Sequence, residues 1–177
     1  MSNQSATTIN KKIEVRKMTL TAILSAIAAV VMLLEFPLPF APPFYELNLS
    51  EIVVLIGGFA LGPISAIVIE FLKVLINTLF NGTTTAYVGE IANFVVGCTF
   101  VVPASIIYHM KPSRKNALIS MIVGTIFSTV IACLINCYIL LPAYSKFYGV
   151  PIDVFIGQGT ERNSAIHNMF TFIIFAT

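Results

Sequence analysis

Residues 81–97, NGTTTAYVGEIANFVVG, decide how this chain is read. A polar turn, Asn81-Gly82 followed by Thr83, Thr84 and Thr85, runs straight into a segment apolar enough to lie in a bilayer. Within that segment Glu90 and Asn93 are spaced i and i+3 and project from one helix face. A carboxylate and an amide facing lipid are costly, so this face is expected to look into protein or a wet cavity. The stretch reads as the mouth and upper wall of a polar site inside a membrane protein.

Composition agrees. Of the 177 residues 57% are hydrophobic and only 10% charged, against about 25% charged in soluble domains, and the mean hydropathy is +0.91. Long apolar runs separated by short polar connections exclude an outer-membrane barrel, whose strands alternate. The expected fold is an all-α integral membrane protein, a bundle of six transmembrane helices. Residues 1–17 read as a disordered, basic N-terminus with no cleavable signal peptide, and 18–177 as a single membrane domain. Cys98, Cys133 and Cys137 sit in apolar segments and read as small packing residues, with no metal-ligand spacing.

The first span is expected at about Met18–Phe36. Ala22, Ser25, Ala26 and Ala29 form a small-residue stripe along it. Such a stripe allows close helix approach, either to a partner protein or to another helix of the same chain. Pro37–Asn48 is stiff with proline and rich in aromatics, and reads as a lid over a site or as an interfacial anchor. Ser50 is placed to cap a short helix 2 that ends near Leu61, with Glu51 in its first turn. Gly62-Pro63 then forces a tight turn. Helix 3, about Ile64–Phe80, carries Glu70, Lys73 and Asn77 on one face; Glu70 with Lys73 is either an internal ion pair or part of a site. Helix 4 covers about Ala86–Tyr108 and helix 5 about Ala117–Leu141, with Asn136 in its outer part. Pro142–Arg162 reads as a loop, and a sixth helix beginning near Asn163 is expected to be cut short at Thr177.

Orientation follows from Lys and Arg. Seven flank the first helix and fill the helix 4–5 connection, against Lys146 and Arg162 in the loops on the other side. The N-terminus and that connection are therefore expected in the cytoplasm. Six helices then place both termini inside and the proline-rich loop and Thr-rich turn outside. At 1.5 Å per residue, Asn77 and Asn136 lie roughly 5 and 7 Å below the outer helix ends, Glu90 roughly 6 Å, and Lys73 and Asn93 roughly 10 Å. This polar layer suits a ligand with an apolar planar body and several hydrogen-bonding atoms, since Asn both donates and accepts. The sequence contains no Walker A, HExxH or Gly-x-Ser-x-Gly pattern, so an enzyme is not expected and any ATP-driven role needs a separate subunit.

The six-helix plan, the Ala22-x-x-x-Ala26 stripe, LSEIVVLIGGFALGP and FLKVLINTLFNGTTTAYVGEIANFVVG together resemble the S components (substrate-binding subunits) of energy-coupling factor (ECF) vitamin transporters. The likeness is greatest to the riboflavin-specific RibU type. It implies a plasma-membrane protein of a bacterium that captures riboflavin from outside. It also implies docking through helix 1 (Ala22, Ser25, Ala26 and Ala29) on a transmembrane coupling protein that carries two cytoplasmic ATPases. No resident cofactor, metal or nucleic acid is implied. The ligand set on this reading is Glu46, Leu47, Asn48, Lys73, Asn77, Ala86, Tyr87, Glu90, Asn93, Asn136 and Asn168, with Glu46–Asn48 as the lid side. Glu90 and Asn93 either touch the vitamin or brace helix 4 on helix 3. An S component for another vitamin and a purely structural membrane protein are the alternatives; a thiamine site built on tryptophan is disfavoured because the chain has no Trp.

Overall fold

The break at Gly62-Pro63 sets the architecture. Gly62 adopts φ 99°, a conformation that costs other residues, and Pro63 starts the following helix with its φ already suited to a first turn. Two helices thereby fold back on each other with almost no connection. The computed structural model describes residues 2–34, 36–37, 46–83, 87–149 and 151. Its elements are α1 (Ser2–Met32), a bridge of β1 (Phe36–Pro37) with β2 (Glu46–Leu47), then α2 (Ser50–Leu61), α3 (Pro63–Asn81), α4 (Val88–Met110) and α5 (Arg114–Ile135). A π-helical turn, Asn136–Leu140, leads on into α6 (Leu141–Tyr148). Among the described residues, four helical segments are long and apolar enough to cross a membrane: Ile13–Met32, Pro63–Asn81, Val88–Met110 and Arg114–Leu140. At 12 residues, α2 reaches only about 18 Å and cannot span a core of about 30 Å alone.

Small residues let the hairpin close. A Cβ on Gly58 would stand 3.2 Å from Ala66 Cβ, and one on Gly57 would run into the Ile69 side chain. These pairings mark α2 and α3 as antiparallel about Gly62. α4 lies across the same spot, where the buried Ser105 hydroxyl donates to the Gly58 carbonyl at 2.7 Å. A serine bonded across a helix junction and a glycine beneath it are standard means of joining helices where lipid offers no hydrophobic drive. α5 joins α4 in the same way: a Cβ on Gly124 would lie 2.7 Å from the Phe100 carbonyl, and Ser128 donates to Val96 O at 3.2 Å. On α1, Thr21, Ser25, Ala28, Ala29 and Met32 are buried, at the spacing of one helix face.

Several boundaries differ from the sequence reading. Helix α1 starts at Ser2 rather than near Met18, so the segment expected as a disordered tail continues the first helix. It also stops at Met32, ahead of the proline-rich connection, instead of reaching Phe36. Ser50 does not cap α2: Leu49 holds the N-cap position without a side-chain cap, Ser50 is the first helical residue, and Asn48 Oδ1 accepts from both Ser50 N and Ser50 Oγ. The span expected to end at Leu141 passes through the π turn into α6, so the following connection begins as helix. Most of the proline-rich loop and the sixth helix expected from Asn163 lie outside the described residues.

The α2–α3–α4 crossing gives a direct test. Gly58→Leu is expected to destabilise the protein by about 1–3 kcal/mol through overpacking against Ala66 and Ser105. A thermal melt in detergent would show it as a lowered midpoint relative to wild type.

Candidate ligand-binding site

Three of the packed helices meet at a charged cluster. Glu51 on α2 and Lys73 on α3 are equally far in sequence from Gly62, so the hairpin brings them face to face. Lys73 Nζ lies 2.6 Å from Glu51 Oε1 and 2.8 Å from Glu70 Oε1. Lys73 and Glu70 are wholly enclosed, whereas the Glu51 side chain keeps 29% of its surface. α4 supplies room rather than a charge: a Cβ on Gly97 would overlap the Glu70 carboxylate and stand 3.2 Å from Glu51 Oε1. Both carboxylates therefore occupy the space that a side chain at position 97 would need.

Gly97 also fixes which way α4 faces. Glu90, Asn93 and Gly97 share one helix face, and contact of Gly97 with Glu70 turns that face toward α3. The Phe71–Phe94 edge-to-face pair, with ring centroids 6.0 Å apart, sets the same antiparallel register. Continued outward, this register brings Asn77 and Glu90 to one level. Gly124 against Phe100 and Ser128 against Val96 fix the register of α5 on α4, which brings Asn136 to the first turn of α4. Asn77, Glu90 and Asn136 thus share a layer. The ion triad sits one to two turns deeper, about 6–10 Å at 1.5 Å per residue.

The side chains in this layer differ in availability. Asn136 is buried, 6% exposed, and opens the π turn; such turns are frequent at functional sites. Asn77 is half-buried and its Oδ1 accepts from Asn81 Nδ2 at 3.0 Å. Glu90 and Asn93 are half-buried on the α3-facing side. Tyr87 is exposed in a left-handed conformation at φ 67°, and its N–H donates to Thr83 Oγ1 at 2.9 Å. Asn48 Oδ1 is engaged by Ser50 at the start of α2, and Glu46 and Leu47 take part in the β1–β2 bridge through their backbones. Ala86 and Asn168 lie outside the described residues.

Two groupings made from sequence come apart here. Lys73 is committed to two carboxylates and fully enclosed, so it does not present its ammonium to the layer above. The expected Glu70–Lys73 pair exists, but as part of a triad whose third member, Glu51, was read only as a favourable first-turn charge. Its signal in the sequence was the equal offset of Glu51 and Lys73 from the Gly62-Pro63 break. The small-residue stripe of α1 also divides. Ser25 and Ala29 are buried against the protein's own helices, while Ala22 and Ala26 are exposed. A stripe following i, i+3, i+4 and i+7 is wide enough for one edge to tuck inward and the other to face out. Ala22 lines a mostly apolar groove of about 430 Å³ between α1 and α3, whose walls include Met18, Thr21, Ser65 and Val68 and whose rim carries Glu14 and Lys17.

Lys73→Met is expected to lower stability by about 3–5 kcal/mol, because two buried carboxylates lose their shared counter-charge. Comparative thermal melts measure this, and an unchanged midpoint would remove the triad from the packing account.

Comparison with known proteins places this geometry among membrane transport components. A family model described as the substrate-specific component of ECF transporters matches residues 16–177. The chain is 31% identical to the riboflavin transporter FmnP of Bacillus subtilis over 139 residues, covering 78% of this chain and 73% of that one. It is 34% identical to the riboflavin transporter RibU of Staphylococcus aureus over 135 residues, 76% of this chain and 70% of the relative. A solved structure of the S component of a bacterial ECF transporter superposes with a TM-score of 0.69 at 30% identity, with 92% of each chain covered.

Proposed function

The chain belongs to the substrate-specific components of ECF transporters, and from that premise we propose that it captures riboflavin for import across a bacterial plasma membrane. It is a transport component, not an enzyme. The observation that carries the choice of ligand is that relatives matching three quarters of the chain at 31% and 34% identity are riboflavin transporters. The site is compatible with that ligand. The layer of Asn77, Glu90 and Asn136, with Asn93 a turn below, offers neutral amides that both donate and accept. Such groups match the hydrogen-bonding edge and polyol chain of a flavin. On this reading Asn136 is the leading contact, Glu90 and Asn93 line the same face, and Glu46–Asn48 and Tyr87 stand at the entrance.

The fuller topology is part of the same proposal. Six spans with both termini in the cytoplasm would put the amide layer in the outer half of the membrane, since Lys and Arg cluster at the opposite ends of the described helices. Energy would come from a transmembrane coupling protein and two cytoplasmic ATPases. The exposed edge of α1, Ala22 and Ala26, with its groove toward α3, is the surface on which the coupling protein would seat. Ser25 and Ala29, covered inside the bundle, serve the protein's own packing instead.

Purified from riboflavin-replete cells, the protein is expected to be yellow, with a flavin absorbance spectrum, and to quench added riboflavin fluorescence. A colourless preparation without quenching would reject the ligand assignment. Asn136→Ala is expected to weaken binding by about 1–3 kcal/mol, the cost of leaving a buried polar group of the ligand unpaired; titration by fluorescence quenching reads the change. Ala22→Leu and Ala26→Leu should leave riboflavin binding intact and abolish uptake in cells, because bulk at those positions blocks close helix approach. Equal loss of binding and uptake would show that this face is not a separate docking surface.

A further inference from the structure

The triad contains two carboxylates for one ammonium, and its two arms are not equivalent. Glu70 and Lys73 lie on the same helix and neutralise each other wherever α2 sits. Glu51 reaches the same ammonium from α2 and is the surplus charge. The excess is costly: among the described residues, Glu51 Oε2 and both Glu70 carboxylate oxygens are buried without a hydrogen-bond donor, and Glu70 Oε1 has only its ion-pair contact with Lys73. Removing Glu51 would still leave one carboxylate for one ammonium, so charge balance alone does not call for the third charge.

What Glu51 adds is a connection to the mouth of the site. It lies in the first turn of α2, next to Ser50, whose N–H and hydroxyl both donate to Asn48 Oδ1. Asn48 directly follows β2, and β2 pairs Leu47 with Phe36 and Glu46 with Pro37 of β1. A path thus runs from Lys73, in the enclosed centre, through its ion pair with Glu51, the neighbouring Ser50, and the Ser50–Asn48 hydrogen bonds to the β1–β2 bridge.

We propose that Lys73 and Glu51 are positioning residues for ligand retention: their bridge holds the start of α2, and with it the Glu46–Asn48 segment, over the amide layer. Lys73 acts on the ligand only through Glu51. The proposal rests on the assignment of riboflavin to this site and adds a role to residues that do not touch it. It also accounts for a third charge that charge balance alone does not call for.

Glu51→Ala separates positioning from folding, because Glu70 still neutralises Lys73. In detergent-purified full-length protein, Glu51→Ala is expected to keep or raise the melting midpoint of the ligand-free state. Amide hydrogen exchange over residues 46–50 should become faster, and riboflavin should dissociate about tenfold faster with little change in association. Glu51→Gln keeps an oxygen that accepts from Lys73 and is expected to restore most of both effects, a rescue that generic loosening would not produce. Unchanged exchange over 46–50 would overturn the proposal, as would faster exchange with unchanged dissociation or a fallen melting midpoint. If wild-type protein fails to bind riboflavin, the functional reading fails, and the exchange comparison still supports or overturns the bridge on its own.

Discussion

One ammonium shared by two carboxylates, in a bundle otherwise held by small apolar contacts, is the constraint on which the rest of this structure depends. Lys73 is enclosed where a charge without partners would be expelled or would open the bundle to water. It stays because Glu70 lies one turn back on its own helix and Glu51 comes across from α2. Each requirement propagates. Glu51 arrives only if α2 and α3 form a hairpin, the hairpin closes only if Gly57, Gly58 and Ala66 let backbones touch, and the carboxylates fit only if α4 offers no side chain at Gly97. A single enlarged residue at any of these places would displace charge as well as bulk.

The same economy of small residues holds the outer helices. Lipid gives no hydrophobic reward for bringing two apolar helices together, so contact has to come from close packing and hydrogen bonds across the junction. Ser105 on Gly58 supplies both between α4 and α2, and Gly124 with Ser128 does so between α5 and α4. The large aliphatic side chains of α5 point outward instead: Leu118, Ile122, Ile126 and Val130 are exposed, as a lipid-facing surface requires.

Periodicity and break signals made the helical fold legible. Gly62-Pro63 marked the hairpin turn, and α2, α3 and α4 fall within a few residues of where the pattern put them. Pairing across the hairpin was less visible, because Glu51 is separated from Lys73 by 22 positions and looked like an ordinary first-turn acid. The small-residue stripe was found, but a stripe does not say which of its edges is inward; only the position of Leu24 near Gly57, with Ala28 in the core, settles that Ser25 and Ala29 point in. The polar layer was estimated by counting residues from helix ends. Registers fixed by Gly97, Gly124 and Ser128 bring Asn77, Glu90 and Asn136 to a common level for a more specific reason, one that single-helix counting cannot supply.

Separation of the ion triad from the level of Asn77 and Asn136 follows from these registers. The three charges of the triad lie below, where α2, α3 and α4 meet, with one ammonium between two carboxylates. Asn77, Asn136 and Glu90 occupy the level above, about one helix turn, 5.4 Å, from the nearest ammonium. A ligand bound at that level, as proposed, would not have to displace an ion pair, which in a low-dielectric interior would cost more than the new contacts return. The deep level gives the bundle its register, and that register sets the spacing of the amides above it.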